Sequence, residues 1–233
     1  MKLPRGLEQA SFLARPNRFV ARVELAGEET LVHVANTGRL RELLQPGRTV
    51  YLSPQPKPER KTRFDLQLVA LGPGPGERLV SADSRLPPGL VEEAFLAGRL
   101  SQFSGYELVR REVTFGDSRL VLELLGPEER CLIEVKSVTL IEKGVARFSD
   151  APTDRGRRHL RTLVRARVEG HRAAVVFVVQ RDDASAFTPT EEPPPAFGDA
   201  LWEAHDAGVE VYTYRCAVSL SDIGITDEID VVR

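Results

Sequence analysis

Residues 131–140 read C-L-I-E-V-K-S-V-T-L, and the rest of the chain is organised around them. Aliphatic and β-branched residues dominate, which is the pattern of a buried strand, but Glu134 and Lys136 interrupt it. Side chains alternate along a strand, so these two charges share one face while Ile133, Val135 and Ser137 take the other. A charged pair inside an apolar strand is costly unless it meets a partner, a metal or an open cleft. On its own, Glu-x-Lys reads first as a salt-bridged pair on a solvated face, and it is the context that changes this.

The flanking order gives the pair its setting. Residues 88–100 space Leu90, Val91, Ala94, Phe95 and Leu100 as one face of a short helix. Residues 106–115 and 119–125 read as strands joined at Gly116-Asp117, and Gly126-Pro127 turns the chain into the central strand. A helix over 153–169 follows, opened by Thr153 or Asp154 as cap, and then the apolar run 173–180 of a central strand. Residues 180–195 read as a polar, Pro-rich loop. A last helix over 196–207 carries Trp202, expected to pack on the sheet, before a strand over 209–214 and an acidic, loosely held tail from Ser219.

Upstream, residues 10–25 read as one half-buried strand. Strands over 30–35, 48–52, 62–71 and 77–82 follow, with a short helical piece at 39–44 and a hard break at 72–76. Five short strands in about 80 residues point to a small OB-like barrel. Such barrels bind single strands by combining a basic groove with aromatic platforms. Arg18, Arg22, Arg60, Lys61 and Arg63 are the candidate groove residues, and Phe19, Tyr51 and Phe64 the candidate aromatics, two of them expected in the barrel core. The domain division falls at 1–82 and 83–233, near the rigid Pro87-Pro88.

Charge supports a polyanionic partner. The net charge is −2, yet residues 1–181 carry 30 Lys and Arg against 22 Asp and Glu, whereas 182–232 carry one Arg and 12 acidic residues. Between 153 and 172 stand seven arginines. Arg155, Arg157 and Arg158 lie in the first turns of the helix, where the positive dipole end makes cations unfavourable unless an anion or acidic partner joins them. His159 and His171 lack metal-ligand spacing and read as structural. Cys131 and Cys216 fall on strands and read as buried, reduced thiols of a cytoplasmic protein. No run approaches a bilayer span, and Met1–Arg5 lacks the apolar core of a signal peptide.

The order helix, three strands, helix, strand, with Glu-x-Lys on the third strand, resembles the PD-(D/E)xK nucleases. That resemblance implies Glu134 and a preceding-strand Asp holding Mg²⁺, with Lys136 at the attacking water. Val121 stands where the Asp is expected, so Glu123 becomes the displaced ligand and Glu93 an accessory one. Taken with Asn36-Thr37-Gly38, Ser104-Gly105-Tyr106, Ser118-Arg119, 131–140 and 150–163, the chain resembles the sugar fermentation stimulation protein A family. The resemblance implies an OB-like domain followed by a PD-(D/E)xK-like mixed sheet flanked by helices, in an α/β (α+β two-domain) chain. It also implies DNA binding through residues that include Asn36 and Thr37, and a link to sugar (maltose) metabolism. Besides Val121, Ala35 departs from the Pro expected before Asn-Thr-Gly. The expected activity is sequence-tolerant DNA binding with weak or absent cleavage. The alternatives are a Mg-dependent nuclease and a regulator that binds protein or small molecules.

Overall fold

The computed structural model describes residues 1–56, 59–72, 77–116, 118–148, 154–190 and 197–233. The break at 73–76, Asp117 of the first hairpin turn, the Thr153 cap with the start of the 150–163 motif, and the 191–195 end of the Pro-rich loop lie outside these residues.

The first module is β1 (Glu8–Asn17), β2 (Val20–Leu25), β3 (Glu28–His33), β4 (Thr49–Pro54), β5 (Phe64–Leu71) and β6 (Arg78–Ser81). Their sheet order is β3-β2-β1-β4-β5-β6, and a parallel β3–β5 bridge at His33 and Asp65 closes the first five strands into the OB-like barrel. The single strand expected over 10–25 is two. Register slips near Ala14 bend β1, and the chain reverses at Arg18-Phe19 with no glycine to announce it. Alternate residues turn inward as the pattern requires: Ala10, Phe12, Ala21, Val23, Val32, Val50 and Leu52 fill the barrel. The helical piece at 39–44 is one turn, closed by Leu44 N–H to Leu40 C=O at 2.8 Å.

The second module runs α1 (Pro87–Leu96), β7 (Leu108–Phe115), β8 (Ser118–Leu125), β9 (Arg130–Val138), β10 (Leu140–Glu142), β11 (Val145–Phe148), α2 (Asp154–Val168), β12 (Arg172–Val179), β13 (Ala186–Pro189), α3 (Phe197–Asp206), β14 (Glu210–Val218), β15 (Ile223–Glu228) and β16 (Asp230–Val231). The main sheet is ordered β15-β14-β12-β9-β8-β7, with β9, β12 and β14 parallel. β9 is apolar on both sides because both are covered. Cys131, Ile133 and Val135 join the core under α1, and Leu132 and Val138 join the core under α2 and α3.

Three expectations are corrected. The tail from Ser219 is anchored: β15 pairs with β14, Ile223 and Ile225 are buried, and Lys2 bridges Asp222. The loop after β12 contains β13, which enters a four-stranded sheet ordered β10-β11-β13-β16. Trp202 lies under the Arg233 guanidinium, 5.4 Å from ring centre, while Phe197, Leu201 and Ala204 are the α3 residues buried in the core.

Candidate functional site

β9 carries Glu134 and Lys136 to the sheet face covered by α2, whose buried stripe is Gly156, His159, Leu160, Leu163 and Ala166. His159 therefore falls directly on the pair. Glu134 is 3% exposed; its Oε1 accepts from Lys136 Nζ at 2.6 Å and lies 2.6 Å from His159 Nδ1. The histidine sits off the hydrogen-bond axis, so Nδ1 has no aligned partner among the described residues, and Glu134 Oε2 is likewise buried without one among them. On the far side of the ring, Arg155 Nε donates to Nε2 at 3.5 Å. Burial alone would push the Glu134 carboxyl up, but His159 and Lys136 together hold it below the ordinary carboxylate range.

The other acidic candidates do not join this cluster. Glu123 is opposite Leu132 in the β8–β9 ladder, two residues down β9 from Glu134, and is held by Arg130 at 3.2 Å and Arg110 at 3.9 Å. Glu93 faces the N-terminal ammonium at 2.8 Å and Arg99 at 3.7 Å. Strand alternation alone would put Val121 and Glu123 on one face, but the β7–β8 hairpin switches faces between them. Val113, Phe115 and Leu120 pack under α2, whereas Val109, Val121 and Leu122 pack on the α1 side. The switch coincides with Glu112, at φ 57° and skipped in the ladder across from Val121. Among the described residues no three Asp, Glu, His or Cys side chains converge as for a metal. Among the described residues Glu134 alone brings a carboxylate to this cluster, already matched by an ammonium, and that set does not fit Mg²⁺, which is held by several hard oxygen ligands.

The barrel candidates gather better. The β1–β2 turn and the β4–β5 loop open at the barrel end marked by the His33–Asp65 bridge, with His33 Nδ1 3.1 Å from Phe19 O. Arg18 is exposed in the first and lies over the Phe19 ring at 5.3 Å; Phe19 is itself 45% exposed. Lys61 and Arg63 are exposed in the second, whereas Arg60 is tied to buried Asp65. Tyr51 donates to Glu77 at 2.8 Å, and Phe64 packs on the barrel core. Arg22 points outward from β2 and reaches Glu29 at 3.5 Å. Asn36 is structural: its Oδ1 accepts from Gly38 N–H and its Nδ2 donates to Ala82 C=O, binding the barrel to the entry of α1. Thr37 is exposed. On α2, Arg155 and Arg158 are exposed, and Arg157 pairs with Asp154 at 2.6 Å.

Sequence reasoning set His159 aside. A histidine on the buried stripe of a helix packed over Glu-x-Lys was the signal that could have found it. The two cysteines are free and buried, and burial pushes the Cys216 thiol up to about 12, far from a reactive thiolate.

An OB-like barrel feeding a restriction-endonuclease-like mixed sheet, with Glu-x-Lys on its central strand, defines a two-module protein of nuclease-like architecture. Residues 13–81 match the model described as SfsA N-terminal OB domain, and residues 85–222 the Sugar fermentation stimulation protein RE domain. The chain belongs to the sugar fermentation stimulation protein A family. It is 46% identical over 224 residues to a homolog from Caldanaerobacter subterraneus subsp. tengcongensis, covering 96% of each chain. It is 44% identical, over the full length of both, to one from Thermoanaerobacter sp. strain X514. The structure of Pyrococcus furiosus SfsA in complex with Ca²⁺ superposes with TM-score 0.89 at 30% identity, covering 100% of this chain and 98% of that one. No helix among the described residues is long and apolar enough to cross a membrane.

Proposed function

We propose that this chain binds nucleic acid, DNA in the first instance, with little sequence preference and without metal-dependent cleavage. One observation carries the reading: the two loops through which OB barrels take oligonucleotides hold Arg18, Phe19, Lys61 and Arg63 in exposed positions at one barrel end. Cations there neutralise phosphates, and an exposed ring offers a face that any base can stack on. Arg155 and Arg158 add cations on the second module.

Cleavage is set aside on the donor count given above. The relative from Pyrococcus furiosus was solved with Ca²⁺, whereas this chain has Val121, with no side-chain oxygen, where the family resemblance expects Asp. Buried, unpaired Cys131 and Cys216 support a reducing, cytoplasmic setting. The link to sugar metabolism is carried by family membership, and would be exerted through this binding.

Anisotropy titrations of labelled single- and double-stranded DNA at 50 and 200 mM salt test the reading. Affinity should fall steeply with salt, be similar across sequences and be indifferent to EDTA. The combined Arg18→Ala, Lys61→Ala and Arg63→Ala variant should flatten the salt slope by about 2–3, at roughly 0.7–0.9 for each phosphate no longer neutralised. Flat titrations at low salt with both strand forms would overturn it, and would favour a protein- or small-molecule-binding regulator.

A further inference from the structure

Glu134 and Lys136 lie on the sheet face covered by α2, where a binding protein has no evident use for a buried carboxylate. The contacts running outward from it supply one. Lys136 and His159 converge on Glu134 Oε1, each at 2.6 Å. Both histidine and carboxylate are buried, at 4% and 3% exposure. The ring's other nitrogen accepts from Arg155 Nε at 3.5 Å. Because Nε2 accepts, the ring proton belongs on Nδ1, beside the carboxylate. Arg155 is exposed, and its bond to the ring uses Nε only. The two terminal nitrogens of the guanidinium form the planar fork that suits two phosphate oxygens. Arg158, three residues on and likewise exposed, is its neighbour on the helix surface.

We infer that Glu134, His159 and Arg155 form an orienting chain in which the acidic residue of the nuclease-like strand, 2.6 Å from Nδ1, holds the ring in place, and the ring's Nε2 aims Arg155 at a backbone phosphate. His159 is a positioning residue that does not touch the ligand. The inference rests on the nucleic-acid binding proposed above. It assigns to the Glu-x-Lys strand a binding task that needs no metal, consistent with Val121 in the position of the expected Asp.

The test compares salt dependence of DNA binding for wild type, Arg155→Ala, His159→Leu, His159→Gln and the double variant Arg155→Ala/His159→Leu. Arg155 is exposed, so its alanine variant should fold, and melting curves check the others. Arg155→Ala and His159→Leu should each lower the slope by about 0.7–0.9, one phosphate's worth, and the double variant no further. His159→Gln keeps an acceptor for Arg155 and should restore most of the slope. Nitrogen-15 spectra of the free protein read the same chain without DNA: His159 should be protonated on Nδ1 in wild type, and this preference should weaken in Arg155→Ala. Additive slope losses, an unchanged slope in His159→Leu, or a proton on Nε2 would overturn the inference while leaving the binding intact. A wild type with no DNA affinity would remove the binding itself, and the phosphate role of Arg155 with it.

Discussion

Lys136→Met tests whether Glu134 is a buried anion held by its neighbours. The substitution keeps length and removes the ammonium 2.6 Å from a carboxylate whose side chain is 4% exposed. Breaking a buried pair from one side costs about 3–5 kcal/mol, because the remaining charge stays buried. His159 still stands at 2.6 Å, so the lower end applies, about 3 kcal/mol. In a chain of this size that lowers Tm by about 6–12 °C. Glu134→Gln removes the more buried partner instead and leaves an ammonium whose four-carbon stem can lead it to water; its side chain is already 13% exposed. That loss should be nearer 1 kcal/mol, and the double variant should resemble it, giving a coupling of about 3 kcal/mol. The pH dependence has a definite sign. The Glu134 carboxyl is held below its ordinary value, so its contribution is complete above the unfolded pKa near 4.3 and is lost as pH falls through the lower folded value. Without Lys136 the opposing effect of burial gains, and the folded pKa rises. The Lys136→Met deficit should therefore widen as pH rises from 4 to 7 in urea melts. A deficit under about 0.5 kcal/mol at pH 7, or one that stays constant over that range, would refute an ionised Glu134.

Three further outcomes are expected. The wild-type chain should leave supercoiled DNA intact in Mg²⁺ or Mn²⁺ on agarose gels; robust cleavage abolished by Glu134→Ala would show that one carboxylate suffices after all. Asp65→Ala should lower Tm by about 4–8 °C, because Arg60 and Arg85 both lean on this buried carboxylate and its loss is worth about 2 kcal/mol once the exposure of the arginines is allowed for; an unchanged melt would mean the β4–β5 loop is held elsewhere. Removing residues 219–233 should give no folded product by limited proteolysis, since Ile223, Ile225 and Ile229 are buried and together contribute about 5–9 kcal/mol, comparable to the whole stability of a domain.

What the sequence disclosed, and what it withheld, follow from the range of the interactions involved. The β9 strand was legible because a two-sided cover demands a two-sided apolar run, and Glu134 and Lys136 had to share a face whatever packed there. The barrel was legible from inward alternation, but its first reversal was not: Arg18-Phe19 turns with ordinary residues, Asn17 Oδ1 accepting from Phe19 N–H at 2.9 Å in place of a glycine's freedom. The last strands were hidden because acidity reads as solvation, although Ile223 and Ile225 stand at period two and pair along β14. The face switch at Glu112 and Val121 was illegible for a deeper reason. Period-two arithmetic assumes an unbroken pleat, and a positive φ in the partner strand cannot be seen from the strand being read.

The same limit of range decided the site. Lys136 is two residues from Glu134 and could be assigned by alternation alone, whereas His159 is 25 residues away and reaches it only through the packing of α2 on the sheet. Helical spacing could say that His159 shares a stripe with Leu160 and Leu163, not which strand that stripe would cover. Once β9 and β12 are paired in parallel with α2 between them in sequence, the helix must lie across these two strands, and its buried histidine has few polar groups to meet. Glu134 is the one it meets. The chemistry of the strand is thereby set by a helix residue: His159 and Lys136 both close on the Oε1 of one buried carboxylate, two groups of its own chain on one oxygen.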